Sequence, residues 1–240
     1  MHWVWDHTHR FRMRPEYSAD ELDARCETIL SEFLQRKYGR IFFPVATADL
    51  RQMLEQEVDN LHLHGDFAKE EGEVEASIEF QRGRKPLVRI AARLAKTTTL
   101  EDRLRVALMH AYGHVRLHDF LFQNEESAYL SLFDDVEDPL PQANRCRRDS
   151  ILPLSDRDWM EWQAGFSCGA LLMPIGPLIA LVRHFRHDRD LDLAALSDRS
   201  LDGITLIAEV AERFQTSLEA SRVRLLHEKI IVPGDSGSLF

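Results

Sequence analysis

The sequence predicts an α+β protein that is mostly helical and carries a small, mainly antiparallel sheet. Three observations lead there. Apolar residues recur at helical spacing near the start, with Leu22, Cys26, Ile29, Phe33 and Leu34 on one face. Three short segments then alternate with period two or carry β-branched runs: LHLHGDF, EVEASIEFQ and PLVRIAARL. From Thr98 onward the pattern returns to helices and stays there.

Residues 1–17 hold His2, His7 and His9 among Trp3, Trp5 and Phe11 without a clean period, and read as an extended arm packed on the remainder. A helix is expected from Ser18 to Tyr38, ended by Gly39, and a shorter one opens at Thr47. In the strand region His62 and His64 share a strand face, which points to a surface or edge role. Gln81-Arg82-Gly83-Arg84 marks a turn. Thr98-x-x-Glu101 has the form of a capping box and predicts a helix from about Leu100 to His118. Residues 119–157 are polar and rich in Asp, Pro and Ser, and read as an irregular excursion. Helices are then expected at Asp158–Met173, about Pro177–Arg186, Gly203–Phe214 and Ser217–Glu228, the last capped by Thr216-x-x-Glu219. The expected organisation is an arm (1–17), one domain (18–232) with an excursion at 119–157, and a tail (233–240).

Composition narrows the function classes. With 240 residues, 44% hydrophobic and 29% charged, the chain has material for a real core. A formal charge of −10 argues against a protein whose affinity comes from neutralising phosphates, so no direct nucleic-acid partner is expected. The longest apolar stretch, Ala170–Val182, is broken by Pro174, Gly176 and Pro177, and the N-terminus has no signal-peptide core. No membrane partner and a cytoplasmic location are therefore expected. Cys26, Cys146 and Cys168 are odd in number and far apart, fitting neither a disulfide framework nor a cysteine zinc knuckle.

The chemistry concentrates in His110-Ala-Tyr-Gly-His114. Imidazoles at i and i+4 lie one turn apart on one helix face and can reach one ion. A catalytic zinc site needs a third protein ligand and an open position, and Glu161 on the facing helix is the best candidate. His118, two turns beyond His110, fits a supporting role behind the ligands better than coordination. Gly113 suggests close approach of another element, while Tyr112 and Cys168 read as packing. The Asn144–Arg148 basic cluster reads as solvated loop. His184 and His187 suit a helix C-terminus.

Several strings together resemble one family. HAYGHVRLH resembles an HExGHxxxH metal helix, and Glu161 followed by Ala164 and Leu171-Leu172-Met173-Pro174 resembles a second signature. Phe43-Pro44-Val45, Thr97–Leu100 and Ala211–Phe214 with Thr216-Ser217 and Arg224-Leu225 agree in order. Over roughly residues 20–228 the chain resembles the ImmA/IrrE zinc metallo-endopeptidases. The resemblance implies a gluzincin-like fold, Zn2+ as cofactor, and His110, His114 and Glu161 as its ligands. It further implies a protein substrate, a helix-turn-helix repressor cut to switch on genes.

One position departs from the family pattern. Where HExxH has the general-base glutamate, this chain has Ala111, which cannot accept a proton. Two explanations follow: a substitution placed in an active enzyme, or a natural pseudopeptidase acting as a zinc-containing binding or sequestering partner of a repressor or toxin–antitoxin component. The excursion 119–157 holds nine Asp and Glu against four Arg, and is expected to favour a basic partner segment.

Overall fold

The N-terminal arm is a hairpin packed on the remainder of the chain. A computed structural model describes residues 1–68, 73–123, 143–147 and 158–234, with Cys146 the one side chain described within 143–147. Strands β1 (His2–Trp5) and β2 (Met13–Glu16) pair antiparallel. Asp6 organises the turn between them, accepting from the backbone N–H of Thr8 and of Phe11 at 3.0 Å each and from the Thr8 hydroxyl at 2.7 Å. An Asp that bonds the backbone two residues on is a local device that leaves no apolar period to read.

Helix α1 (Ala19–Tyr38) has the full capping box, Ser18 with Glu21, and ends at Gly39 with φ 68°, a left-handed position that suits glycine. Helix α2 (Thr47–Glu57) is tied to the end of α1 through Asp49, which accepts from Lys37 at 2.7 Å and from the Tyr38 hydroxyl at 3.0 Å.

Strands β3 (Asn60–Gly65), β4 (Val74–Glu79), β5 (Leu87–Ala91) and β6 (Ala143–Arg147) form a sheet in the order β3-β5-β4-β6. The β3–β5 pair is parallel, while β5–β4 and β4–β6 are antiparallel, so the sheet is mainly antiparallel as expected. His62 and His64 sit exposed on the edge strand β3. Strand β6 corrects the reading of 119–157 as irregular throughout: Cys146 pairs with Ala76 on the far edge of the sheet. Its sequence is polar apart from Ala143 and Cys146, so nothing in its composition resembles a strand.

The run Pro86–Leu94 is also shorter as a strand than its pattern suggests. It turns at Ala92 into a five-residue helix, α3 (Ala92–Lys96). The Thr98-x-x-Glu101 box does not form; Thr98–Leu100 is a 3-10 turn, and the Glu101 carboxylate accepts from the Thr47 hydroxyl at 2.6 Å. Helix α4 (Glu101–Gln123) runs past His118, because Leu121 and Phe122 pack with Phe11, Trp159 and Met160, and Phe122 stacks on Phe80 at 4.1 Å. Aromatic burial thus extends the helix into residues that look like loop.

Helix α5 (Trp159–Leu172) lies directly on α4 and is capped by Asp158. At their crossing a Cβ on Gly113 would stand 3.0 Å from the Ala164 carbonyl oxygen and 3.1 Å from its Cα, so glycine permits the approach. Helix α6 (Ile175–Asp188), strand β7 (Leu196–Ser197), helices α7 (Leu201–Phe214) and α8 (Leu218–His227) and strand β8 (Ile231–Val232) complete the described chain. The cap of α8 is Ser217, accepting from Ala220 N–H at 3.1 Å; the Thr216 hydroxyl instead faces inward to Ser221 at 2.8 Å. His184 meets Asp188 at 3.3 Å near the end of α6. Buried Arg224 joins α8 to α1, paired with Asp23 and, at 2.7 Å, with Glu228. No single helix among the described residues is long and apolar enough to cross a membrane.

Candidate metal centre

Helix α4 places His110, His114 and His118 in line at i, i+4 and i+8, and all three are fully buried. The first turn of α5 brings Glu161 to two of them. Its Oε2 lies 3.1 Å from His110 Nε2 and its Oε1 lies 3.2 Å from His114 Nε2. The two Nε2 atoms are themselves 3.1 Å apart. For ligands about 2.0–2.1 Å from a tetrahedral ion, the donor–donor edge is about 3.3 Å. The three spacings therefore fit one small cation.

The hydrogen-bond polarity behind His114 tests that fit independently. A backbone carbonyl oxygen can only accept, so Gln163 Nε2 donates to that of Pro15 at 2.8 Å. That leaves Gln163 Oε1 facing His118 Nε2 at 3.0 Å, so His118 must donate there. His118 Nδ1 is then an acceptor, 3.2 Å from His114 Nδ1, which donates in turn. In this neutral chain His114 Nε2 is left as a bare lone pair, pointed 3.2 Å from a carboxylate oxygen. His110 Nε2, 3.1 Å away, is the one neutral group beside that lone pair able to donate to it, and a cation seated among the three atoms would satisfy them all. The donor set and its orientation fit a metal.

Electrostatics agree. Burial pushes the Glu161 carboxyl up, but its position against the His110 and His114 imidazoles more than offsets this and holds the group well below the usual carboxylate range. Burial is also the main reason that His110 and His118 are pushed down, which favours neutral imidazoles. His110 differs from His114 in its support, since its buried Nδ1 has no hydrogen-bond partner among the described residues.

A fourth side chain reaches the same point. Cys146 on β6 is fully buried, and its sulfur and one nitrogen each of His110 and His114 all lie within 4.8 Å of one another. Burial raises its thiol well above the ordinary range. The cysteines thus divide. Cys26 and Cys168 are core thiols facing the backbone oxygens of Ser167 and Val106 at 3.9 and 3.4 Å, with burial raising Cys26 to about 11. Cys146, which the sequence reading set aside with them, stands at the imidazoles.

No family model matches the chain, and no curated protein matches it.

Ala111 is completely buried and belongs to the main apolar cluster, together with Met109 and Tyr112. The structure brings together four of the five residues singled out by sequence, His110, His114, Glu161 and His118, and gives Ala111 a packing environment. Gln163 and Cys146 are the residues that sequence reasoning missed. Gln163 carried a weak signal, two positions after Glu161, whereas Cys146 carried none beyond being a cysteine. The arginines around Cys146 and Tyr129 lie outside the described side chains.

Proposed function

We propose that the chain is a zinc-holding pseudopeptidase of the ImmA/IrrE type, which engages a helix-turn-helix repressor by binding it without cutting it. The observation that carries this reading is Ala111: a buried methyl group stands beside a complete His110–His114–Glu161 donor set. Two imidazoles and a carboxylate are a donor set that suits zinc. A bound zinc would polarise a carbonyl or lower the pKa of a bound water. Proton transfer is what this chain lacks, because Glu161 faces the imidazoles as a ligand and a methyl group accepts no proton. General acid–base catalysis of that kind is worth about 10²–10⁴ in rate. The likeness in sequence supports the repressor as partner, and the net charge of −10 supports a basic protein surface over nucleic acid. A cytoplasmic site of action belongs to the same proposal.

The test is Ala111→Glu, loaded with zinc and incubated with candidate helix-turn-helix repressors from the same genome, beside the unaltered chain. The expected result is repressor binding by both chains and cleavage by neither. Cleavage by the glutamate variant alone would instead identify an active endopeptidase disabled by a single substitution.

A further inference from the structure

We propose that Cys146 is the fourth protein ligand of the metal, so that the coordination sphere is closed. The proposal rests on the His110–His114–Glu161 reading above and adds to it. Catalytic zinc sites keep one position for water, whereas structural sites fill all four with protein donors, commonly Cys and His. The geometry here is of the second kind. A sulfur and a nitrogen sharing a tetrahedral zinc lie about 3.6 Å apart. Cys146 Sγ lies within 4.8 Å of one nitrogen of His110 and one of His114, so a shift of about 1 Å would bring it to zinc-sharing distance of those imidazoles. The three side chains are completely buried, which leaves solvent little access to an open position. Cys26 and Cys168 serve as internal contrasts, because both are buried yet neither joins the cluster.

The step balances simply. On taking up an aqueous zinc ion, Cys146 would give its thiol proton to solvent and its sulfur would replace one of the ion's waters. Two consequences follow. With four protein donors in place, no carbonyl or water can reach the metal, which makes the loss of a general base at 111 tolerable. The metal also fastens β6 to α4. That strand lies between chain segments 124–142 and 148–157, so coordination fixes the edge of the sheet where this part of the chain enters and leaves.

The experiment is X-ray absorption at the zinc edge of the unaltered 240-residue chain, paired with optical spectra of its cobalt(II)-substituted form. A sulfur scatterer at about 2.3 Å, alongside nitrogen and oxygen at about 2.0–2.1 Å, is expected. Cobalt should give a thiolate charge-transfer band in the near ultraviolet. Cys146→Ala should remove both signals and weaken zinc binding by at least about 10-fold, the lower end of what even an outer-sphere partner contributes. Wild-type zinc with nitrogen and oxygen neighbours alone would overturn the proposal while leaving the His110–His114–Glu161 site standing. A wild-type chain that binds neither zinc nor cobalt would overturn both. Because the scattering measurement uses the wild-type chain, a variant that fails to fold does not rescue the idea.

Discussion

Gly113→Ala separates the geometry of the metal centre from ordinary helix energetics. Alanine in a helix interior is favoured over glycine by about 1 kcal/mol. At position 113 the new methyl would meet the Ala164 backbone at 3.0 and 3.1 Å. Ordinary carbon contacts lie at about 3.5–4.0 Å, so α4 and α5 must separate by roughly 0.5 Å. Overpacking of this sort costs about 1–3 kcal/mol. The net expectation is a loss of about 0–2 kcal/mol, and each kcal/mol lowers the melting temperature by about 2–4 °C in a chain of this size. The same displacement carries Glu161 away from His110 and His114, and zinc affinity should fall about 10-fold. Thermal unfolding and competition against a chelator read the two effects. Gly169→Ala is the comparison, since its methyl meets the Arg224 side chain at 3.3 Å rather than backbone near the donors, and it should leave zinc affinity unchanged. A Gly113→Ala chain stabilised by about 1 kcal/mol with unchanged zinc affinity would refute the close-approach argument.

Three further outcomes are expected. Gln163→Leu removes the acceptor of His118 and the donor to Pro15, so zinc affinity should drop about 10–100-fold, and an unaltered affinity would dismiss the relay. Arg224→Ala leaves the Asp23 carboxylate buried without its partner and should cost about 3–5 kcal/mol in urea unfolding; a change below about 1 kcal/mol would show that the pair is solvated. Burial raises the Asp6 carboxyl, but hydrogen bonds from Thr8, Phe11 and Trp159 outweigh it, so its folded-state value lies below the ordinary 3.8. Its stabilisation is thus full above that value and lost as pH falls through the lowered one. Trp159 fluorescence, sensitive to the 3.2 Å bond from its indole to Asp6, should report hairpin release in that acid window. The Asp6→Asn chain should show no such step.

The parts of the molecule legible in sequence are those governed by period and local caps. Helices α1, α4 and α5 announced themselves through apolar spacing, and Ser18 with Gly39 framed α1 correctly. The donor pair His110 and His114 followed from i, i+4 geometry, and Glu161 from the expectation of a facing helix. What sequence concealed depends on contacts between distant segments. The caps at Thr98 and Thr216 matched a pattern, but Glu101 is drawn across the fold to Thr47, and at the other helix the neighbouring Ser217 takes the cap while Thr216 turns to Ser221. Strand β6 exists because β4 offers an unpaired edge, not because its residues favour strands. Cys146 reaches the imidazoles only through that pairing, and no spacing within the chain encodes it. Gln163 acquires its role from Pro15, 148 residues away.

The account stands most directly on metal content. Elemental analysis of the chain, purified without chelators or added metal, should find about one zinc per chain in the wild type and almost none in His114→Ala. Zinc retained at the wild-type level by His114→Ala, or absent from a folded wild-type chain, would contradict it.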